Sequence, residues 1–294
     1  MPEPERSGGE QRGSERRFTT THPEHERTSR QVDRYSHGHH ESVLRSHRWR
    51  TAENSAGYLL PQLAPGQTLL DVGCGPGNIT MDLAARVAPG TVRGIDAAAD
   101  AIQAAHAVND RPEQVRFAID DVYALDAPDR SYDVVHAHQV LQHLSDPVRA
   151  LREMRRVVKT GGVVAARDAD YSCFSWAPLD PLLTRWNELY HAIARRNQGE
   201  PDAGRFLLGW AQQAGFTDVV ASSSTWTYAD PESRAWWGGL WADRVEQSSF
   251  ATQAVEYGLS DATELASIAA AWRNWAEQPG GWYAVLHGEV LARG

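Results

Sequence analysis

The chain has 294 residues, of which 41% are hydrophobic and 23% are charged, and its formal net charge is −9. This length and balance are typical of a globular protein with a sizeable core rather than of a disordered or fibrous chain. The negative charge argues against a nucleic-acid partner, which is bound through Lys and Arg, and no run of about 18 apolar residues indicates a membrane span.

The beginning of the chain differs in composition from the rest. Residues 1–30 mix Glu, Arg, Ser, Gly and Thr with few apolar side chains, which predicts a disordered tail. They show neither the apolar stretch nor the cleavage site of a secretory signal, which favours a cytoplasmic location. Cys74 and Cys173 are therefore expected to be reduced thiols. Apolar residues recur every three or four positions in 41–63, which predicts a helix.

Strands and helices then alternate. We predict strands at 68–72, 91–95, 115–119, 132–137 and 163–167, with helices at 78–87 and 97–109 between them. We predict a further helix with Asp146 as its N-terminal cap and Pro147 in its first turn. It ends in a turn at 159–162. This alternation indicates βαβ units and a parallel sheet.

The last third of the chain is mostly helical and rich in tryptophan. We predict helices at 180–197 and 204–215, a strand at 219–228, a helical region at 231–278 and a closing strand at 281–292. With the five earlier strands, these two make a sheet of seven.

A glycine turn follows the first strand. Gly73, Gly75 and Gly77 come directly after Asp71, and such a turn lets backbone approach a ligand where a Cβ would clash. A tight turn that serves packing alone is the alternative. A dinucleotide site needs a small residue where this chain has Asn78, and a carboxylate beside the turn suits a ligand without phosphates. The pattern therefore disfavours a dinucleotide.

Carboxylates also follow the second and third strands. Asp96 ends the second strand, where it can accept hydrogen bonds from both hydroxyls of a ribose, although a solvated aspartate is an equal alternative. Asp121 follows the third strand, where it can accept from an adenine amino group. Together with Asp71, these residues indicate a site for a nucleoside.

The motifs LLDVGCGPGN, GID at 94–96, the segment 117–125, SYDVVHAHQVLQHLSDP and KTGG resemble those of the class I S-adenosylmethionine-dependent methyltransferases. The resemblance covers about residues 68–168 and points to the group that includes quinone-biosynthesis C-methyltransferases. It implies an α/β fold with a Rossmann-like, seven-stranded, mostly parallel sheet and helices on both faces. It also implies S-adenosylmethionine as cofactor and a small-molecule acceptor.

This family organisation divides the chain into four parts. After the tail at 1–30, residues 31–66 would form an N-terminal lid and helix, and residues 67–170 would form the cofactor-binding core. Residues 171–294 would complete the sheet and add a helical insertion as a substrate cap.

The resemblance also implies roles for individual residues. Backbone between Gly73 and Gly77 would lie against the methionine and ribose, Asp96 would bind the ribose, and Asp121 would bind the adenine with the backbone of Val122. Asp120 is an unusual neighbour, and we favour Asp121. The expected cofactor-binding residues are Tyr35, Arg50, Asp71, Gly73, Cys74, Gly75, Gly77, Asn78, Asp96, Ala97, Asp121, Val122, His138 and Gln139.

Methyl transfer from a sulfonium is an in-line displacement, which requires alignment and, for acceptors that carry a proton, a base. His138 and Gln139 end the fourth strand, and His143 follows, at the sheet edge where ligands bind in open α/β sheets. His138 and His143 are therefore the catalytic candidates, the alternative being that they only shape the pocket. His136 is expected to pack or to be exposed.

Candidate substrate contacts lie outside the core. His39 and His40 follow Tyr35 in the lid, and Trp176 follows the fifth strand. A metal site at the lid histidines is not expected, because a compact turn rarely offers several ligands to one ion. The many tryptophans suit an apolar or aromatic acceptor, or else they fill the cap or the interface of a homo-oligomer.

Other functions stay open at the level of sequence. A protein of this fold can bind the cofactor as a non-methylating cyclase or as a regulatory module. A nicotinamide-dependent oxidoreductase is disfavoured by Asn78 in the glycine turn. The expected partner is a small-molecule acceptor, with no metal, nucleic acid or membrane.

Overall fold

The structure is a computed structural model that describes Ser46 and residues 49–294. The predicted tail at 1–30 and, apart from Ser46, the first part of the predicted lid up to residue 48 lie outside the described residues.

The described part of the predicted helix at 41–63 is shorter than expected. Helix α1 spans Ala52–Ala56, and the Thr51 side chain caps it by accepting from the backbone of Asn54. A 3-10 turn follows at Leu60–Gln62, with proline in its first turn. Because Pro61 has no N–H to donate, it starts a new turn instead of continuing α1.

The predicted alternation of strands and helices is confirmed. Strands β1 (Leu69–Val72), β2 (Val92–Asp96), β3 (Val115–Ile119) and β4 (Tyr132–His138) alternate with helices α2 (Asn78–Val87) and α3 (Ala99–Val108). They pair in parallel in the order β3-β2-β1-β4. The carboxyl ends of all four strands therefore meet at one edge of the sheet.

The connection from β4 to the next strand differs from the prediction at one end. Helix α4 (Pro147–Val157) begins as expected, with the Asp146 side chain accepting from the backbone of Arg149. The predicted turn at 159–162 lies instead within strand β5 (Val158–Ala169). The register with β4 jumps there from Val158 to Val163, so these residues form an irregularity in the strand instead of a helix cap.

The second half of the sheet is antiparallel. Strand β8 (Trp282–Arg293) lies between β5 and β7 (Val219–Tyr228) and also pairs with β6 (Ser175–Ala177). The described residues thus form eight strands, one more than predicted, because β6 is too short to show a periodicity. The chain has the predicted mostly parallel, Rossmann-like α/β sheet.

Five helices follow β6 in the described chain and carry most of the tryptophans. They are α5 (Pro181–Arg196), α6 (Leu207–Gln213), α7 (Pro231–Gln247), α8 (Ser249–Glu256) and α9 (Ala262–Glu277). The last three replace the single helical region predicted at 231–278, since Ser248 and Asp261 each cap a new helix.

A buried aromatic cluster holds this cap together. Trp186 packs edge-on against Trp241 and Trp272, with ring centroids 4.5 Å and 4.9 Å away, and all three side chains are fully buried. Burial of each such ring contributes about 1.5–3 kcal/mol. Of the tryptophans predicted to fill a cap core or an oligomer interface, Trp241 lies in this buried cluster.

Two further observations bear on the sequence predictions. Cys74 is buried and Cys173 is exposed, and both are free thiols, as expected. Among the described helices, none combines the length and the apolar character that crossing a membrane requires.

Candidate active site

The glycine turn after β1 has the backbone conformation that its sequence predicts. Gly73, Gly75 and Gly77 have φ angles of 65°, 54° and 85°, in the left-handed region that favours glycine. A Cβ on Gly73 would lie 2.3 Å from Val140 Cγ2, and one on Gly77 would lie 2.8 Å from Phe117 Cζ. Glycine is therefore required here for the backbone conformation and for packing against Val140 and Phe117.

Asp96 lies directly beside this turn. Its Oδ2 accepts a hydrogen bond from the Gly75 N–H at 3.0 Å, and its Oδ1 accepts from the Ala98 N–H at 2.9 Å. The side chain is half-buried, and Ala97 next to it is exposed. Because each carboxylate oxygen can accept two hydrogen bonds, this group can also serve ligand hydroxyls.

Asn78, the first residue of α2, brings an acceptor to the same place. Its Oδ1 is buried and has no hydrogen-bond partner in the described part of the chain. Buried polar atoms are nearly always hydrogen-bonded, so an orphan acceptor beside the turn is suited to a donor group of a ligand.

Asp71 has a different position from the one predicted. Its Oδ1 lies 2.7 Å from His136 Nδ1, its Oδ2 accepts from Thr80 Oγ1, and both Asp71 and His136 are buried. Both carboxylate oxygens thus face the interior. The geometry supports a role in bracing the turn and gives no support to the predicted direct contact of Asp71 with a cofactor.

The two aspartates after β3 have distinct environments. Asp120 accepts from Arg93 at 2.9 Å and from the backbone N–H of Asp121, so its carboxylate serves the fold. Asp121 is half-buried, and its Oδ1 accepts from the Tyr123 N–H at 2.9 Å. Val122, which lies between Asp121 and Tyr123 in the chain, is also half-buried. Asp121 therefore remains the candidate for reading a base.

His138, at the end of β4, is buried, and neither ring nitrogen has a hydrogen-bond partner among the described residues. Burial lowers its pKa well below the ordinary value, and the nearby charges of Arg50 and Arg167 lower it further. The imidazole is therefore neutral near pH 7. One nitrogen can donate a hydrogen bond and the other can accept one.

A chain of hydrogen bonds extends from Arg50 to β8. Arg50 Nη2 donates to Gln139 Oε1 at 2.5 Å, and Gln139 Nε2 lies 2.8 Å from His287 Nε2. His287 Nδ1 lies 3.1 Å from the Val285 carbonyl, so the tautomer that donates from Nδ1 satisfies both contacts. These hydrogen bonds fix the Gln139 side chain. The backbone of Gln139 has a φ of 53°, in the left-handed region.

His143 is less well suited to catalysis than His138. It ends a 3-10 turn at Leu141–His143, and its Nε2 contacts Gln142 Nε2 at 3.0 Å. Burial and the charge of Arg50 lower its pKa to about 3. Because burial lowers the pKa of His138 as well, the two histidines differ in their contacts: His143 Nε2 already has a partner, whereas neither ring nitrogen of His138 has one in the described chain.

A cavity that is partly open to solvent lies between Gln139 and the helical cap. We call it the aromatic cavity. Its described wall includes Ser46, Arg50 and Arg244, and its aromatic residues include Trp49, Trp226, Tyr228, Trp236, Trp237 and Trp241. Trp226 also lies near His138, with ring centroids 5.7 Å apart. The carboxyl end of β4 and the cap thus meet around one cavity.

Trp176, the predicted pocket residue, does not line this cavity. Its ring stacks on Tyr283, with centroids 5.8 Å apart and an interplanar angle of 11°. Trp176 belongs to β6, which pairs with β8 at Tyr283, and this pairing directs it to the cap core. The other predicted substrate contacts, His39 and His40, and the predicted cofactor contact Tyr35 lie outside the described residues.

Arg167 and Glu289 lie behind the site and were not among the predicted residues. Arg167 Nε donates to Glu289 Oε1 at 3.1 Å, and both side chains are buried. The Arg167 guanidinium also lies over the Trp226 ring, 4.9 Å from its centroid. The signal in the sequence is a polar residue at an inward position of β5 and of β8, but only the pairing of these strands brings the charges together.

Within the described ranges, no group of three or more His, Cys, Asp or Glu side chains is placed to hold a metal ion.

Comparison with known proteins gives a consistent result. A family model described as a methyltransferase domain matches residues 63–228. The chain is 33% identical to an uncharacterized methyltransferase of Schizosaccharomyces pombe, over 87% of this chain and 95% of that protein. It is 29% identical to the 2-methyl-6-phytyl-1,4-hydroquinone methyltransferase of Synechocystis, over 68% of this chain and 60% of that protein.

Among solved structures, the YcgJ protein of Bacillus subtilis is similar in fold, with a TM-score of 0.53 and 19% identity over 82% of this chain and 98% of that one. The family model covers more than half of the chain, and the glycine turn with Asp96 lies where the motifs predict it. The chain therefore belongs to the class I S-adenosylmethionine-dependent methyltransferase family.

Proposed function

We propose that this protein transfers a methyl group from S-adenosylmethionine to a small acceptor with an apolar or aromatic surface. The observation that carries the proposal is the contact between the two halves of the site. Val140 packs against Gly73 of the glycine turn, and its neighbour Gln139 lines the aromatic cavity. A cofactor on the turn and an acceptor in the cavity would therefore be adjacent.

The residues around the turn fit this cofactor. Asp96 would accept from the ribose hydroxyls, Asp121 from the adenine amino group, and the orphan Oδ1 of Asn78 from the amino group of the methionine part. When bound, S-adenosylmethionine supplies an electrophilic methyl group on a sulfonium.

The chain itself would supply alignment and exclusion of water. The aromatic walls would orient a flat acceptor and keep water from it. The neutral His138 would hydrogen-bond to the attacking atom and take its proton where the acceptor carries one. The relative from Synechocystis, whose name gives a hydroquinone as its substrate, supports an aromatic acceptor.

Calorimetric titration with S-adenosylmethionine, S-adenosylhomocysteine and NAD tests the cofactor. We expect selective binding of the first two, and binding of NAD alone would overturn the proposal. Incubation with aromatic metabolites, followed by mass spectrometry for methylated product and S-adenosylhomocysteine, tests the reaction. A protein that binds the cofactor but forms neither product would be a non-methylating member of the family.

A further inference from the structure

Two side chains in the wall of the aromatic cavity carry hydrogen-bond donors without partners. The Tyr228 hydroxyl and the Trp237 indole Nε1 are buried, and neither has a hydrogen-bond partner among the described residues. An indole N–H can only donate. Because a buried donor without a partner is unfavourable, this wall is suited to a ligand that offers acceptor oxygens.

Positive charge lies around the same donors. Arg50 and Arg244 line the cavity, and the Arg244 guanidinium lies 5.0 Å from the centroid of the Trp241 ring. Burial raises the pKa of the Tyr228 hydroxyl, while the charges of Arg50, Arg244 and Arg167 act in the opposite direction. Three guanidinium groups are therefore close enough to act on one hydroxyl in this wall.

The acidic residues near the cavity also bear on its ligand, within the part of the chain that the structure describes. No Asp or Glu side chain lines the described part of the cavity wall. Glu289 lies behind Trp226 but is paired with Arg167 and accepts from Ser222 and Ser224. A guanidinium has five N–H donors, so Arg50 and Arg244 can serve a ligand in addition to their contacts within the protein.

This distribution of charge decides between two kinds of ligand that aromatic walls can hold. Aromatic side chains bind quaternary ammonium groups through their negative faces, but the guanidinium groups here would repel such a cation. They attract a carboxylate and can bind it with two parallel hydrogen bonds. The flat walls stack on an aromatic ring.

We propose that the acceptor is an aromatic acid, whose ring packs among Trp226, Tyr228 and Trp237 and whose carboxylate is recognised by Arg50 and Arg244. This inference rests on the proposed function, since it assigns the substrate class of the same site. It adds a charge requirement that an apolar or aromatic acceptor does not by itself imply.

The test compares nearly isosteric arenes that differ in charge. Benzoate and benzamide, 1-naphthoate and 1-naphthamide, and benzyltrimethylammonium are titrated at neutral pH into the full chain saturated with S-adenosylhomocysteine, with quenching of tryptophan fluorescence as readout. We expect at least one carboxylate to bind about tenfold more tightly than its amide. Carboxylates that bind no more tightly than amides, including no measurable binding of either, or tightest binding of the ammonium compound, would overturn the proposal.

Variants show which arginine causes the preference for carboxylates over amides. Arg244→Gln is expected to reduce the ratio of carboxylate to amide affinity about fivefold or more, whereas Arg273→Gln, an exposed ion-paired arginine on α9, should leave it unchanged. Equal ratios in both variants would overturn the assignment to Arg244. If Arg244→Gln does not fold, the ratio in the wild-type chain and in Arg50→Gln decides.

This experiment distinguishes failure of the proposed function from failure of the proposed acceptor class. If S-adenosylhomocysteine does not bind, the proposed function is wrong, and the same arenes are then titrated into the protein alone and judged by the same ratio. If S-adenosylhomocysteine binds but the carboxylates bind no more tightly than the amides, only the aromatic acid is rejected.

Discussion

Asp96 is the residue on which the proposed cofactor site most depends. It joins the end of β2 to the glycine turn through the Gly75 N–H and also accepts from the Ala98 N–H. Replacement by alanine removes the ribose acceptor and this support, so we expect Asp96→Ala to weaken S-adenosylmethionine binding at least tenfold, or about 1.4 kcal/mol. Calorimetric titration measures the change.

The controls separate the two roles of Asp96. Asp96→Asn keeps one acceptor oxygen and the side-chain shape, so its loss of affinity should be smaller than that of Asp96→Ala. Asp100→Ala, at an exposed position in the first turn of α3, should bind normally. An affinity of Asp96→Ala close to that of the wild type would show that the ribose assignment is wrong.

Replacing His138 should lower turnover and leave cofactor binding nearly unchanged. Its ring nitrogens have no described partner and it lies next to Trp226 of the aromatic cavity. For an acceptor that must lose a proton, His138→Ala should lower kcat on the order of a hundredfold, with little change in the affinity for S-adenosylmethionine. Single-turnover kinetics and calorimetry on the same preparations measure both, with exposed His106→Gln as control. Unchanged turnover would remove His138 from the catalytic residues.

Single residues differ in how far the sequence predicts them. Gly73, Gly77 and Asp96 are recognisable because a strand, a tight turn and the next strand end lie close together in the chain. Trp226 and His287 are not, because only the pairing of β7 with β8 brings them to the end of β4. Their types are ordinary in a strand, and nothing local marks them.

At the level of elements, a polar row crosses the sheet and is buried at His138, Arg167 and Glu289. His138 of β4 pairs in register with Arg167 of β5, which pairs with Glu289 of β8, which pairs with Ser222 of β7. The ion pair between Arg167 and Glu289 lies within this row. It ties the parallel and antiparallel halves of the sheet together directly behind Trp226.

Breaking this ion pair should be costly. Arg167→Met leaves the Glu289 carboxylate buried without its partner, and we expect a loss of about 3–5 kcal/mol in the free energy of unfolding. The double variant Arg167→Met, Glu289→Met should recover most of it, because an apolar pair needs no charge compensation. Urea unfolding of the three proteins gives these differences.

A matched arginine provides the control. Arg293 of β8 forms an exposed ion pair with Asp218, and Arg293→Met should change the stability by less than about 1 kcal/mol. If Arg167→Met changed the free energy of unfolding as little as Arg293→Met, water or a ligand would have to compensate the buried charge of Glu289. In that case the row would not hold the two halves of the sheet together.

Elements were predicted best where clear turns flank them. The strands at 115–119 and 219–228 were predicted with their observed bounds, because each is flanked by clear turns. The three residues of β6 were not predicted, since their strand conformation depends on pairing with β8. The boundaries between α7, α8 and α9 depend on the caps Ser248 and Asp261, which a uniformly helical composition obscures.

At the level of the whole molecule, buried titratable groups should make stability depend on pH. Burial lowers the pKa of His138 and His287 well below 6.5 and that of His143 to about 3. Burial raises the pKa of Asp168 to about 7, so the folded state holds a proton that the unfolded chain releases above its ordinary pKa of 3.8. The two effects have opposite signs.

Below pH 6.5 the unfolded chain binds protons at the three histidines that the folded state excludes, and this destabilises the fold as the pH falls. Asp168 acts in the other direction over the same range, which leaves a net of two protons. We therefore expect the free energy of unfolding to fall as the pH decreases from 6.5 towards 5, most steeply near pH 5, where the histidines of the unfolded chain are fully protonated.

Urea unfolding at several pH values measures this slope, and one substitution identifies its source. His143→Gln removes one excluded proton and should make the fall in stability with decreasing pH shallower. If the stability of the wild type were constant over this range, the histidines would be protonated in the folded state. His138 would then be a cation beside Arg50 and Arg167, unable to accept a proton from the acceptor.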